Sequence, residues 1–553
     1  MQDRPWLKNY PPQVPANIDP SAYPTLLGFV NECFLKYEAL PAFECMGKKI
    51  TYRQTDKLST QFAAYLHSRG LQPGDRIALM MPNLLQYPIA LYGALKAGLI
   101  IVNTNPLYTP REMKFQFTDS GVKAIVILEN FAANLASVIS ETPINTVIVT
   151  RIGEMLGPIK GSLVNFAVKY IKRMVPAYQI ANTVSFSHAL TEGKNFSIRP
   201  FDGKPSDVII HQYTGGTTGT SKGAMLTNAN MVANMMQISS WMKPCLQEGK
   251  EVTLSPLPMY HIFAFAVNGL AMLSCGAHTI LVTNARDISS IIKEFKRSRI
   301  TLMTGLNTLF NALLHHKDFK KCDFSGLKIT VGGGMAIQKT VADAWLAATG
   351  CPLTEGYGMT ESSPLISVNP LDGSGKPGSI GLPVASTEIR IVKEDGSLAV
   401  FDEVGEIQCR GPQVMKGYYN QPEETAITVT PEGWLCTGDI GKMDRDGYMY
   451  IVDRKKDMIL VSGFNVFPNE IENVVCAHPK VLEAAAIGVP DEKSGEVVKL
   501  FVVKKDKSLS KNEIIDYCRE NLTGYKVPKH VEFKSELPKT NVGKILRRAL
   551  RET

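Results

Sequence analysis

The sequence predicts an α/β protein of about three or four compact units, because 553 residues exceed what a single core organises. Three observations carry this reading. From Ile50 onward short apolar strands alternate with helices, the rhythm of parallel sheets with crossover helices. From about Gly378 the texture turns β-rich. A charged knot, Asp453-Arg454-Lys455-Lys456-Asp457, then sets off a last piece of about one hundred residues with strands and helices of its own, large enough for a separate domain.

Along the chain, the start through Pro20 is rich in proline and carries Asp3 and Arg4, so it reads as an extended arm and not as a secretory signal. Arg76 to Met80 and Ile100 to Asn103 read as strands flanking a helix from Gln86 to Ala97. Thr109-Pro110-Arg111-Glu112 combines a cap residue, proline at the first helical position and glutamate at the third, which marks a helix start. Leu163 to Val175 reads as a basic amphipathic helix stopped by Pro176, with Lys169, Lys172 and Arg173 on one side. The favoured reading of it is the solvated edge of a packed helix, with the surface of an anionic membrane as the alternative. Asp207 to Gln212 reads as a strand, and Leu226 to Ser239 as a helix. Between Val252 and Ala285 no residue is charged, yet Asn268, Ser274, Gly276 and His278 interrupt the apolar run, so it reads as a buried helix, a turn and a strand. Ile329 to Val331 is a further strand and Val341 to Ala348 a further helix. Glu388 to Lys393, Gly405 to Arg410 and Tyr448 to Val452 are strands of the β-rich part.

With 44% apolar and 20% charged residues the composition is that of a soluble globular protein, and a net charge of +8 over this length gives no ground for a nucleic-acid partner. Ten cysteines lie far apart with no Cys-x-x-Cys pair, which indicates neither a zinc site nor a disulfide framework and fits a reducing cytosol.

The stretch Tyr213-Thr214-Gly215-Gly216-Thr217-Thr218-Gly219-Thr220-Ser221-Lys222-Gly223, followed by Ala224, points to a bound polyphosphate. Glycine-rich backbone can curl so that its N–H groups converge, hydroxyls add donors, and Lys222 supplies fixed positive charge. It is not the loop of ordinary nucleotide hydrolases, which requires Ser or Thr directly after the lysine; here Gly223 follows.

Further motifs come after it in order: Leu257-Pro258-Met259-Tyr260-His261, Glu355-Gly356-Tyr357-Gly358-Met359-Thr360-Glu361, Thr437-Gly438-Asp439, Asp453 to Asn465, and Pro538-Lys539-Thr540-Asn541-Val542-Gly543-Lys544. From about Ile50 to the end the chain thereby resembles the acyl-adenylate-forming superfamily, most closely the bacterial long-chain fatty-acid:CoA ligases. The resemblance implies a large N-terminal adenylation domain over 1–455 and a small mobile C-terminal α+β domain over 456–553. The large domain would comprise an arm over 1–25, two α/β subdomains to about 377 and a β-rich subdomain over about 378–455. It also implies a reaction in which a fatty carboxylate attacks the α-phosphate of ATP, releases pyrophosphate, and is then passed to coenzyme A.

Residue by residue, the resemblance implies that Lys222 and its loop hold the departing phosphates while Thr214 and Glu361 help to place Mg2+. Lys544 would bridge the carboxylate and the α-phosphate. Tyr357 and the backbone of Gly332, Gly333 and Gly334 would receive adenine; Asp439 and Arg454 would receive ribose. His261, Phe265 and Gly305 would line an acyl tunnel, with His261 orienting the substrate and Phe265 at a gate position. Lys456 matches the hinge and Gly463 the place where pantetheine passes close to the backbone. The implied partners are a long-chain fatty acid, ATP and coenzyme A, with no nucleic acid. The implied location is the cytoplasm and, in part, the inner membrane face, and the pattern leaves room for a homodimer.

Overall fold

A computed structural model describes residues 4–214, 221–462, 464–491, 493–540 and 543–551. Two large sheets and a four-stranded sheet build the N-terminal part, and a five-stranded sheet builds a small C-terminal domain.

One large sheet runs Gly417–Tyr418, Lys222–Thr227, Val208–Thr214, Ile100–Asn103, Arg76–Met80, Val122–Leu128, Thr146–Thr150, Val184–Ser185. It is parallel from Val208–Thr214 onward, as strands separated by helices must be, and antiparallel at the edge beside Lys222–Thr227. The other has nine strands, parallel through its middle from Leu353–Gly358 to Pro41–Cys45 and antiparallel at both ends. The two are not sequential units. The early hairpin Pro41–Thr51 belongs to the nine-stranded sheet, and Gly417–Tyr418 crosses back to the eight-stranded one.

Two sequence readings are corrected. Leu226 to Ser239 is not one helix: Lys222–Thr227 returns antiparallel along Val208–Thr214, with Thr214 opposite Lys222, and the helix is Asn228–Met242. The cap decides it, since Thr227 accepts from the Asn230 N–H and Asn230 returns the bond to Thr227, which fixes the first turn after the strand. The basic helix begins earlier than Leu163, at Pro158, and comprises Pro158–Phe166 followed by a π turn, Ala167–Ile171. It is also not packed by its apolar side: Leu163, Phe166, Tyr170, Ile171 and Met174 are exposed. The uncharged stretch behaves as read, with the helix Ile262–Asn268 and the strand His278–Leu281 in the core. Among the described residues no helix is long and apolar enough to cross a membrane.

The helix Gln86–Lys96 is buried on every side and lies against Tyr52–Ser68. Gly93 permits that approach. A Cβ there would stand 2.7 Å from Phe62 Cδ1 and 2.9 Å from the Ser59 carbonyl oxygen, and backbone cannot yield as a side chain can.

Beneath the two sheets a chain of buried amides joins them. Tyr87 Oη donates to Asn103 Oδ1 (2.6 Å) and Asn103 Nδ2 to Gln212 Oε1 (2.9 Å), while Gln212 Nε2 reaches the Tyr260 carbonyl (2.9 Å). Asn83 donates to the carbonyls of Ser255 (3.0 Å) and Leu257 (2.9 Å) and accepts from Met259 N–H (2.8 Å). These bonds hold the segment Leu257 to His261 at the ends of strands from both sheets.

Gly93→Val is expected to destabilise the N-terminal part by about 1–3 kcal/mol, the usual cost of overpacking. A lowered urea midpoint measures it, and an unchanged midpoint would contradict the close helix contact.

Candidate active site

The site lies where the two large sheets, the four-stranded sheet and the C-terminal domain meet. At the end expected to take phosphate Val208–Thr214 enters and Lys222–Thr227 leaves; residues 215–220, hence Gly215, Gly216, Thr217, Thr218, Gly219 and Thr220, lie outside the described residues. Ser221 Oγ closes the base of the loop by donating to the Thr214 carbonyl at 2.6 Å. Tyr213 supports it from below. Its hydroxyl donates to Asp119 Oδ2 (2.5 Å), and its ring lies so near Gly223 that a Cβ there would be 3.0 Å from Cζ. Ala224 is buried in the same strand, opposite Tyr418.

Glu361 is buried in the turn Thr360–Ser362 and accepts from Tyr418 Oη at 2.6 Å. The face of the same tyrosine lies 5.3 Å from Lys222 Nζ, which also pairs with Glu424. Tyr418 therefore links the two residues expected to handle phosphate and cation. Among the described residues no three His, Cys, Asp or Glu cluster as metal ligands. A hydroxyl from Thr214 and a carboxylate from Glu361 suit a hard cation that keeps its waters and shares phosphate oxygens, which is how Mg2+ is usually held.

At the end expected to receive the nucleoside the carboxylate of Asp439, buried, is fixed from two sides. Tyr357 Oη donates to Oδ2 (2.7 Å), and Arg454 Nε lies 3.2 Å from Oδ1, because Asp439 and Arg454 face each other across antiparallel strands. The glycines serve close approach. A Cβ on Gly333 would be 3.2 Å from the Gly356 carbonyl, one on Gly358 would overlap the Pro364 carbonyl at 1.9 Å, and Gly334 has φ +76°. Beside Gly332, Glu355 is pushed up to about 8 by burial, with the Ile337 N–H 3.4 Å from Oε1. Met359 N–H is bound by the Pro364 carbonyl at 3.0 Å, so it shapes the turn before Glu361.

Lys544 arrives from the C-terminal domain. Thr540 and Lys544 brace the loop, Thr540 N–H donating to the Lys544 carbonyl (2.7 Å) and Lys544 N–H to Thr540 Oγ1 (3.1 Å). Gly543, with φ +89°, sits where a Cβ would be 2.6 Å from Thr308 Oγ1 of the large domain. The amine itself lies 3.8 Å from the Cβ position of Gly334. Burial pushes Lys544 down to about 8; Arg454 and Lys456 act in the same direction, while Asp439 and Glu361 oppose them. Lys456 stands exposed in the turn between Met449–Arg454 and Ile459–Val461; Gly463 lies outside the described residues. Three residues beyond Lys544, Arg547 ties the tail to the turn: its guanidinium donates to Asn469 Oδ1 (2.7 Å), Glu472 Oε2 (2.8 Å) and Asp457 Oδ2 (3.2 Å).

On the side expected to take the acyl chain His261 Nε2 is buried without a hydrogen-bond partner among the described residues, and desolvation, with Lys544 nearby, pushes the ring down to about 4. It is a neutral imidazole at physiological pH. Phe265, expected at a gate, is fully buried in the central core; the ring that reaches the glycine segment is Phe263, 3.3 Å from the Cβ position of Gly333, in a cluster with Leu257, Ala264, Leu306 and Met335. Gly305 is backed by Phe310, whose Cζ would be 2.6 Å from an added Cβ. Sequence reading missed Tyr418, Asp119, Glu424 and Arg547, each of which stands outside a dense motif, and of these only Arg547, close after Lys544, had a positional signal; the run Phe263 to Val267 beside His261 reads as apolar lining with two aromatics, but it is Phe263 and not Phe265 that reaches the glycines.

The AMP-binding enzyme pattern matches residues 32–419, and the AMP-binding enzyme C-terminal domain pattern matches residues 470–544. The chain belongs to the AMP-binding enzyme family. Among similar relatives is the long-chain-fatty-acid–CoA ligase of Yersinia pestis, 54% identical over 548 residues that cover 99% of this chain and 97% of the relative. Another, of the same name from Haemophilus influenzae, is 51% identical and covers 99% and 98%. Among solved structures, ATP-bound MatB from Rhodopseudomonas palustris superimposes with a TM-score of 0.80 at 27% identity, over 96% of this chain and 98% of that one. This AMP-binding enzyme thus has the family's two-part form, with a large N-terminal and a small C-terminal domain.

The Lys544 amine is expected to titrate near 8, with Asp439→Asn lowering the midpoint and Arg454→Met raising it. The pH dependence of its modification by an amine-reactive reagent, read by peptide mass spectrometry, measures this. A midpoint at the ordinary lysine value would overturn the placement.

Proposed function

We propose that this AMP-binding enzyme is an AMP-forming long-chain fatty-acid:CoA ligase. The observation that carries the reading is the delivery of the Lys544 amine from one domain to the end of the other, beside the Asp439–Tyr357 nucleoside seat and the Glu361–Tyr418–Lys222 phosphate wall. The names of the relatives and the apolar ring-and-aliphatic cluster around Phe263 favour a long acyl chain.

Two anions must meet in the first step, and charge is the obstacle. Lys222 and the loop take the phosphates that depart; Thr214 and Glu361 are the residues that would hold Mg2+, which when bound would supply neutralising charge to those phosphates. Lys544 lies between the fatty carboxylate and the α-phosphate, offsetting their repulsion where the new bond forms. His261, neutral, takes no proton from an already ionised carboxylate and orients it instead. In the second step the thiol of coenzyme A attacks the acyl carbon, AMP leaves, and Lys544 has to be out of the way; a turn of the small domain at Lys456 would bring the passage beside Gly463 to the adenylate.

The two half-reactions separate these roles. Lys544→Ala is expected to lose fatty-acid-dependent ATP–pyrophosphate exchange by more than about a hundredfold while still converting supplied acyl-AMP to acyl-CoA. Gly463→Leu should show the opposite pattern. Loss of both half-reactions together in each variant would refute the division of labour.

We also read a working position at the cytoplasmic face of the inner membrane, where an apolar substrate resides. The support is the helix Pro158–Phe166 and its π turn, pinned inward by Gly161 and Val168, with Gly153 N–H on Asn165 Oδ1 at 2.8 Å. It turns Ile159, Leu163, Phe166, Tyr170 and Ile171 to solvent together with Lys169, and Lys172, Arg173 and Met174 are exposed just beyond its end, not on a continued helix to Val175. An outward apolar stripe flanked by cations suits an anionic lipid surface. Replacing Leu163, Phe166, Tyr170 and Ile171 with serine is expected to abolish flotation with phosphatidylglycerol vesicles while the folded enzyme persists. Undiminished flotation would remove this helix as the contact.

A further inference from the structure

We propose that Glu424 is a displaceable counter-anion of Lys222, holding the amine when the phosphate seat is empty and reclaiming it as pyrophosphate departs. The inference rests on the reading of Lys222 as a phosphate ligand.

Lys222 is poorly exposed, its side chain at 14%, so its charge needs a partner within the protein. Two groups supply one. The ring of Tyr418 presents its face 5.3 Å from Nζ, and Glu424 Oε2 accepts directly from the amine. The two partners differ in freedom. Tyr418 is immobilised: it pairs with Ala224 in the neighbouring strand, its N–H is held by Thr425 Oγ1 at 2.8 Å, and its hydroxyl is committed to Glu361. Glu424, on the helix Pro422–Thr428, is 39% exposed along its side chain and has no other ion-pair partner among the described residues. It is the partner that can leave, and solvent is at hand to receive it.

A polyphosphate brought to Lys222 places oxygens of like charge beside that carboxylate, so the two anions compete for one amine. Apparent affinity for any ligand that uses Lys222 is then lowered by the fraction of molecules in which the amine is free. The penalty falls on ATP and on pyrophosphate, both of which carry the phosphates that Lys222 is read to hold. It spares AMP, which keeps only the α-phosphate. Weaker retention of pyrophosphate speeds its departure after adenylation and leaves the overall equilibrium unchanged.

The test is equilibrium binding of ATP, pyrophosphate and AMP to the full chain, with magnesium in every arm, in wild type, Glu424→Gln, Lys222→Met and the double variant. Glu424→Gln is expected to tighten ATP and pyrophosphate about two- to fivefold, the range for a partly exposed ion pair, and to leave AMP unchanged. In the Lys222→Met background the same change should have no effect. Unchanged binding of all three ligands, or weakened ATP and pyrophosphate, would overturn the proposal, the latter by showing that the carboxylate positions the amine. Equal tightening of AMP would overturn it by showing a general charge effect. If Lys222→Met leaves ATP and pyrophosphate binding intact, the phosphate reading of Lys222 itself fails, separately from the role of Glu424. A thermal melt of each variant excludes misfolding as the source.

Discussion

The site depends first on the buried amides that tie the two large sheets together. Asn83, Asn103 and Gln212 lie in different parts of the chain, yet all three end on the segment Leu257 to His261 or on the groups that hold it. Each bond is made in a dry interior, where leaving a carbonyl unpaired costs about 1–3 kcal/mol. A shift of either sheet would break several at once. The segment bearing His261 is therefore set by both sheets, and with it the acyl wall beside Gly333.

On that frame the electrostatics follow from desolvation. Lys544 is taken out of water into a space already holding Arg454, and Asp439 and Glu361 favour its charge. A cation so placed is held with little to spare, and an arriving anion gains more from it than from a solvated lysine. The carboxylates are in turn pinned by phenols: Tyr357 fixes Asp439 and Tyr418 fixes Glu361.

Much of this was legible in the sequence. The strand that leads into the loop at Tyr213 appears as Val208–Thr214, and the capping box at Thr109 and Glu112 appears as read. The cluster of Tyr357, Asp439 and Arg454 was legible only through the family pattern, since three separated residues carry no local sign of meeting. What escaped did so for physical reasons. Leu226 had the apolar neighbours of a helix, but pairing with Val208–Thr214 won over local pattern until the Thr227 cap. Phe263 and Phe265 share a helix and a composition, and only packing decides which ring enters the core. The helix at Pro158 has apolar residues that read as packed surface, because a sequence does not state which side a helix turns to water. Tyr418 and Glu424 act through contacts made some two hundred positions away in the chain, at Lys222.

The guanidinium of Arg547 gives the last lysine a particular kinship. Because it grips Asp457 at the interdomain turn and Asn469 and Glu472 on the helix Pro468–Cys476, the tail is clamped to the root of its own domain. Lys544 is therefore not carried on a frayed terminus. Under the two-step reaction proposed above, its withdrawal would be geared to the turn at Asp457, so that clearing the site and swinging the small domain would be a single stroke.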